Sequence, residues 1–232
     1  MASSSTELKE IFNRSVPKKF QESIIECLFD IYPKAYDYCA AKYPQQVAHD
    51  LLPHERRAML ETKLPEIAKI HKLEAIHQLN KTRNSHHAVI SAGGIILTAS
   101  YADSPQSIVR YAEFRKDYAQ TNQGHLFRKD ISENNAPRYA ILLHGDDGTN
   151  KNLPTFACVK FPIYDEQSEN YSSYIGDGID LFSKHPDIVE KLRPTITCDW
   201  FPSGQKLLEE CIQDTAQPVL RDDLAKKEIQ NK

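Results

Sequence analysis

The stretch that decides the fold covers residues 86–163, which hold the densest β-branched and aromatic runs of the chain. Four runs stand out in it: AVIS at 88–91, IILT at 95–98, YAILL at 139–143 and FACVKF at 156–161. Turn residues bound each pair of runs, which is typical of strands rather than helices. Gly93-Gly94 joins the first two runs, because glycine accepts the positive φ of a tight hairpin. The stretch therefore predicts two β-hairpins.

The N-terminal third of the chain is patterned for helices. Apolar residues recur at three- and four-residue steps between positions 20 and 31, and again from position 54 to about 81. Another helix is predicted between the hairpins, where Asp103-Ser104-Pro105 is a typical helix start. This order predicts an α+β fold, in which an N-terminal helical region packs on a small antiparallel or mixed sheet built from two hairpins with an intervening helix.

The chain has no proline- or glycine-rich linker between its helical part and its predicted sheet. We therefore predict a helical region at residues 1–84 and an α+β region at residues 85–232, packed as one compact unit. Hydrophobic residues make up 40% of the 232 positions and charged residues 26%, which indicates a folded protein rather than a disordered one.

Composition also narrows the function classes. A formal net charge of −3 excludes a globally basic nucleic-acid binder, although it allows a local basic surface. No apolar run reaches the length of about 20 residues that spans a bilayer. The first residues carry no apolar signal-peptide core, so we expect a cytoplasmic protein. The five cysteines are odd in number and scattered, which fits neither a disulfide framework nor a zinc cluster.

Residues 54–87 form the one basic stretch of this acidic chain. Seven cations face four glutamates there, which gives a net charge of +3. Such an excess on a helical stretch can lie along phosphates. The candidate nucleic-acid-binding residues are Arg56, Arg57, Lys63, Lys69, Lys72, Lys81 and Arg83. The alternative is a solvated charged face on a packed helix.

Part of this stretch has a partial likeness to a helix-turn-helix motif, with apolar residues at Ile67, Leu73, Ile76 and Leu79. Such a motif needs a sharp turn between its two helices, often containing glycine. Residues 70–73 contain no turn residue, and one continuous helix explains the same spacing.

Histidines provide a second set of candidates. His86 and His87 open the first predicted strand, where neighbouring side chains point to opposite faces of the sheet. His144 ends the strand at 139–143 and is followed closely by Asp146. If the hairpins share one sheet, imidazole and carboxylate groups can meet there as a metal-binding or general-base set. The candidate catalytic residues are thus His86, His87, His144 and Asp146.

Reaction motifs of known type are not recognisable in the sequence. A nuclease of the kind with two acids and a lysine requires an acid two positions before Lys160, and Cys158 stands there instead. The sequence has no GxSxG, GxGxxG or P-loop pattern, and no regular calcium loop. We therefore predict no cofactor and no metal.

Two functional hypotheses follow. The first is a regulatory or interaction protein that contacts DNA or a protein partner through the basic helical face. The alternative is a hydrolase, with a nuclease as one such enzyme, that has a His/Asp site at the edge of the sheet. An uncovered sheet edge also allows a homodimer.

Overall fold

The structure is a computed structural model that describes residues 2–80, 83, 85–127, 137–148, 150–164 and 171–193. The last part of the predicted α+β region, residues 194–232, lies outside the described residues, as does Lys81. Three long helices come first: α1 (Ala2–Ser15), α2 (Lys18–Lys42) and α3 (Gln45–Ile70). Helix α2 runs through Pro33, because Tyr32 and Ala35 on either side are fully buried and their packing compensates for the missing N–H.

The helical pattern predicted up to position 81 ends earlier than expected. Helix α3 stops at Ile70, Lys72 turns the chain with a φ of 60°, and residues Glu74–Leu79 form the first strand, β1. The helix-turn-helix interpretation is therefore wrong, and so is the single continuous helix. Apolar residues three apart fit a helix, but Ile76 and Leu79 lie exposed in a strand instead.

The remaining elements alternate strands and helices. In chain order they are β2 (His86–Ala92), β3 (Ile95–Tyr101), α4 (Glu113–Phe127), β4 (Arg138–Gly145), β5 (Phe156–Lys160), β6 (Pro162–Tyr164), β7 (Tyr171–Tyr174), β8 (Ile179–Asp180), α5 (Leu181–Lys184) and α6 (Pro186–Leu192). The main sheet has six strands in the order β1-β2-β3-β4-β5-β8, and β6 and β7 form a separate pair.

The main sheet is mixed. Strands β3 and β4 run parallel because the segment containing α4 crosses between them, whereas the other neighbouring pairs are antiparallel. The hairpin predicted at Gly93-Gly94 is confirmed, with φ angles of 51° and 91° at the two glycines. N-terminal helices, a mixed sheet and an intervening helix confirm the α+β fold class.

The two faces of the sheet bury separate cores, because successive strand residues point to opposite sides. Ile90, Leu97 and Leu142 pack in a core with side chains of α1, α2 and α3. Ile141 and Leu143 pack on the other face, in a smaller core that includes Ala119 of α4. Within the described residues, no helix has the length and apolarity needed to cross a bilayer.

Candidate functional site

A cluster of buried polar side chains lies where β3 and β4 end. The two strands are parallel, and Tyr101 and His144 form the last pair of residues in their register. Helices α2 and α3 cover this end of the sheet and each contribute one side chain. The members of this cluster, called the β4-end cluster below, are Tyr32, Arg56, Tyr101, His144 and Asp146.

Arg56 is the centre of the β4-end cluster. Its Nη1 donates to Oδ2 of Asp146 at 2.5 Å, and its Nη2 donates to the carbonyl oxygen of Lys151. The guanidinium carbon lies 4.1 Å from the centre of the Tyr32 ring, which is a cation–π contact. The side chain of Arg56 is only 1% exposed. The sequence placed Arg56 on an exposed basic face, and the structure instead places it in a buried ion pair.

The carboxylate of Asp146 accepts two further hydrogen bonds from protein groups, which take the place of water. Its Oδ1 accepts from the backbone N–H of Gly148 at 2.7 Å. Its Oδ2 also accepts from the hydroxyl of Tyr101 at 3.4 Å. A buried carboxylate is stable only when its oxygens are paired in this way.

His144 is held in its neutral form. Its Nδ1 makes a hydrogen bond of 2.9 Å with the hydroxyl of Tyr32. Complete burial, together with the smaller effect of the nearby Arg56 charge, lowers the pKa of His144 to about 3. Burial also raises the pKa of Tyr32 and of Tyr101. The cluster thus ties α2 and α3 to the ends of β3 and β4, with its charges compensated inside the protein.

The sequence anticipated only part of this cluster. His144 and Asp146 were predicted to lie near each other, and both lie in it. Arg56 belonged to the other hypothesis. Tyr32 and Tyr101 were missed, and the available signal was weak: a tyrosine in an otherwise apolar helical stripe brings a hydroxyl that needs a buried partner.

The predicted catalytic set is not assembled. Strand alternation places His144 on the face that carries α2, where it contacts Tyr32. His87 lies on the opposite face and stacks on Phe114 of α4, with ring centres 3.6 Å apart. His86 is exposed. His87 and His144 therefore do not share a site. Among the described residues, no three histidine, cysteine or acidic side chains lie close enough together to hold a metal ion.

The predicted basic face is divided. Arg57, Lys63 and Lys69 are exposed, but they are six residues apart, so they point in directions about 120° apart around α3. Lys63 pairs with Glu66 at 2.9 Å. Helix α3 therefore does not present these cations as one continuous face.

The exposed cations Lys69, Lys72 and Arg83 bracket β1 instead. Lys69 lies in the last turn of α3, Lys72 in the turn before β1, and Arg83 in the turn between β1 and β2. Both turns contain a residue with positive φ, 60° at Lys72 and 55° at Arg83. Three of the seven candidate cations, Lys69, Lys72 and Arg83, therefore lie exposed at the two ends of β1.

Strand β1 forms an open edge of the sheet. It pairs with β2 on one side, and no described strand pairs with its other side. Three large apolar side chains in and beside it are exposed, Ile70 by 74%, Ile76 by 60% and Leu79 by 41%. The opposite edge, β8, is only two residues long and leads directly into α5.

The hydrogen-bond pattern shows which groups of β1 point outwards. The N–H of Asn80 donates to the carbonyl of Ser85 at 2.9 Å, so these two residues face each other across the hairpin. In an antiparallel pair this orientation alternates along the strand. The backbone N–H and C=O groups of Ala75, His77 and Leu79 therefore point away from β2.

Comparison with known proteins gives no match to a protein family, to a curated protein or to a solved structure.

Proposed function

We propose that this protein is a non-enzymatic interaction protein that binds an extended, acidic segment of a partner protein along the outer edge of β1. The observation that carries this proposal is the six-residue open edge with exposed Ile76 and Leu79. An extended peptide adds to such an edge through backbone hydrogen bonds, while neighbouring side chains provide specificity.

Charge complementarity favours an acidic partner. Lys69 and Lys72 lie at the start of β1 and Arg83 lies just beyond its end, so a bound strand meets cations at both ends. Glu74 at the beginning of β1 is the one acid within the strand. Opposite charges across an interface speed up association and fix the register of the partner.

The β4-end cluster supports an interaction role over a catalytic one. Arg56 and His144 are each 1% exposed, and both Nη groups of Arg56 and the Nδ1 of His144 are hydrogen-bonded within the protein. A general acid or base must lie within hydrogen-bond reach of its substrate. The buried groups of this cluster stabilise the fold that presents β1.

The proposal is tested with a display library of random twelve-residue peptides. Enriched peptides are synthesised, and their affinity for the wild-type protein is measured by isothermal titration calorimetry. We expect acidic, β-branched sequences to be enriched. A library that yields no binder, or binders with no excess of acid, contradicts the proposal.

Two variants of His77 separate backbone pairing from side-chain contact. His77→Pro removes one outward N–H, which an edge strand tolerates, and is expected to weaken peptide binding at least about tenfold. His77→Ala keeps that N–H and serves as the matched control. Equal affinities of the two variants for the peptide contradict strand addition.

Charge reversal distinguishes other occupants of the edge. Lys72→Glu with Arg83→Glu is expected to weaken binding of the acidic peptide, whereas Lys63→Glu, at an exposed cation about 120° around α3 from Lys69, is the control. Binding of a random-sequence DNA duplex, with steep salt dependence and loss in the double variant, assigns these cations to DNA and overturns the proposal. A dimer in light scattering that the His77→Pro variant dissociates assigns the edge to a second copy and also overturns it.

A further inference from the structure

Strands β2 and β3 separate at one end. They pair only between Ile90–Ala92 and Ile95–Leu97, although β2 begins at His86 and β3 continues to Tyr101. Beyond these three pairs, each strand keeps its other neighbour, β1 or β4. The backbone groups of β2 that point towards β3 near His86 therefore need other partners.

Charged side chains of α3 provide those partners on one face of the sheet. The carboxylate of Glu61 accepts from the backbone N–H of Ala88. Arg57 donates to the carbonyl oxygen of His86 at 3.3 Å, and its Nε lies 3.9 Å from the Glu61 carboxylate. On this face the N–H of Ala88 and the carbonyl of His86 are therefore paired with side chains of α3.

The face covered by α4 is different, because buried nitrogen atoms of two side chains there lack partners, although the Nη1 of Arg115 donates to the carbonyl oxygen of Arg110 at 2.9 Å. His87 is 2% exposed and stacks on Phe114, yet neither of its ring nitrogens has a hydrogen-bond partner among the described residues. The Nε of Arg115 is likewise buried without a partner there, and its guanidinium carbon lies 5.3 Å from the same Phe114 ring. Unpaired buried donors destabilise a fold unless something binds to them.

The charges around His87 favour an anion. Burial lowers the pKa of His87 most, and the charges of Arg115, Arg57 and His86 lower it in the same direction, so this pKa falls to about 4. Glu61 is the acid nearby; burial raises its pKa, and its carboxylate is already bonded to Ala88. With His87 neutral, Arg57, Arg115 and Glu61 leave a net charge of +1.

We propose that a small carboxylate anion binds beneath α4, between the ring N–H of His87 and the Nε–H of Arg115. A carboxylate has two acceptor oxygens for these two donors, and its single charge matches the surplus. Phe114 and Arg115 are half-buried, so the anion reaches the site beside them. This site uses none of the residues that the proposed binding along β1 relies on, so it does not depend on the function proposed above.

The wild-type protein provides the first test, with acetate as the probe. Acetate is titrated against chloride at constant ionic strength, and the imidazole nitrogens are followed by ¹H–¹⁵N NMR. We expect a saturable shift of the His87 nitrogens in acetate alone, while those of His144 stay unchanged. A shift that is equal in chloride, or that does not saturate, overturns the proposal.

Two substitutions locate the binding. His87→Phe keeps a ring stacked on Phe114 and removes both nitrogens, and Arg115→Met removes the guanidinium. Each is expected to weaken acetate binding at least about tenfold, as the loss of one charge-assisted hydrogen bond does. Lys63→Met, which removes an exposed cation elsewhere on the protein, is expected to leave it unchanged.

The outcomes separate clearly. Equal acetate affinity in the wild type and in His87→Phe overturns the site. Displacement of acetate by inorganic phosphate at a much lower concentration overturns the carboxylate class and assigns the site to phosphoryl groups. The wild-type titration needs no substitution, so it decides the proposal even if one variant does not fold.

Discussion

Two strand histidines of the main sheet, His144 and His87, are buried on opposite faces, and the protein surrounds them differently. His144, on the face that carries α2 and α3, is hydrogen-bonded to Tyr32 and lies beside the Arg56–Asp146 ion pair. His87, on the face that carries α4, stacks on an aromatic ring and has no hydrogen-bond partner within the described structure. Burial lowers the pKa of both imidazoles, so a low pKa alone does not distinguish a structural histidine from an unsatisfied one.

The comparison also shows how the protein handles buried charge. On the face of α2 and α3, both Nη groups of Arg56, the Asp146 carboxylate and the hydroxyls of the β4-end cluster are hydrogen-bonded, and only the Nε of Arg56 lacks a partner among the described residues. On the face of α4, an arginine and a histidine leave donors unused. The predictions below test whether pairing, rather than burial, decides how much each group contributes to stability.

The largest effect is expected for Asp146→Asn. This change leaves the buried guanidinium of Arg56 without its counter-charge, and breaking such a pair costs about 3–5 kcal/mol. The free energy of unfolding, measured in urea at pH 7, is expected to fall by that amount. Asp147→Asn is the matched control, because Asp147 is exposed and an asparagine keeps the oxygen that accepts from Asn150. Equal losses in the two variants contradict the assigned role of the ion pair.

Acid is expected to destabilise the protein through both histidines. In the folded state their pKa values are about 3 for His144 and about 4 for His87, against 6.5 for an ordinary imidazole. As the pH falls, the unfolded chain therefore binds protons before the folded protein does. The stabilisation that depends on the two neutral histidines is complete above pH 6.5 and is lost as the pH falls towards their pKa values in the folded state. Between pH 7 and pH 5 each histidine accounts for a loss of about 2 kcal/mol.

Urea unfolding at pH 7 and pH 5 measures this loss. The free energy of unfolding at pH 7 exceeds that at pH 5. Replacing either His87 or His144 by phenylalanine is expected to reduce this difference by about 2 kcal/mol. A variant with the same pH dependence as the wild type shows that the pKa of the replaced histidine does not change on folding.

His144→Phe is expected to cost about 1–2 kcal/mol at pH 7. It leaves the hydroxyl of Tyr32 buried without its partner, and an unpaired buried group carries a penalty of this size. The double variant with Tyr32→Phe removes both partners of the hydrogen bond. Its loss of unfolding free energy is therefore expected to be smaller than the sum of the losses in the two single variants. Strict additivity in this cycle contradicts a direct bond between the two side chains.

The sequence predicted those parts of the fold that depend on local pattern. The glycine hairpin at 93–94 and the N-terminal helices are specified by neighbouring residues. Strand β1 was mistaken for helix because its apolar residues recur three positions apart, as in a helix, and its strand state depends on pairing with β2. The parallel pairing of β3 and β4 likewise depends on contacts between residues about forty positions apart, such as Ile96 and Tyr139.

The site was less predictable than the fold for the same physical reason. Arg56 and Asp146 are 90 positions apart in the chain, and Tyr32 and His144 are 112 apart. Nothing in the local sequence around Arg56 distinguishes it from Arg57, although one is buried and the other is exposed. Only the packing of α3 on the sheet decides which arginine finds the carboxylate.

The smallest effect, and the one with the opposite sign, is expected for His87→Phe. Phenylalanine keeps the stacking on Phe114 and removes a donor and an acceptor that have no described partner, so the buried polar penalty disappears. In buffer without carboxylates, we expect the variant to equal the wild type or to exceed its stability by up to about 1 kcal/mol at pH 7. The urea midpoint measures this directly. A loss as large as that of His144→Phe shows that His87 is partnered as well, and then the two faces of the sheet do not differ in how they bury a histidine.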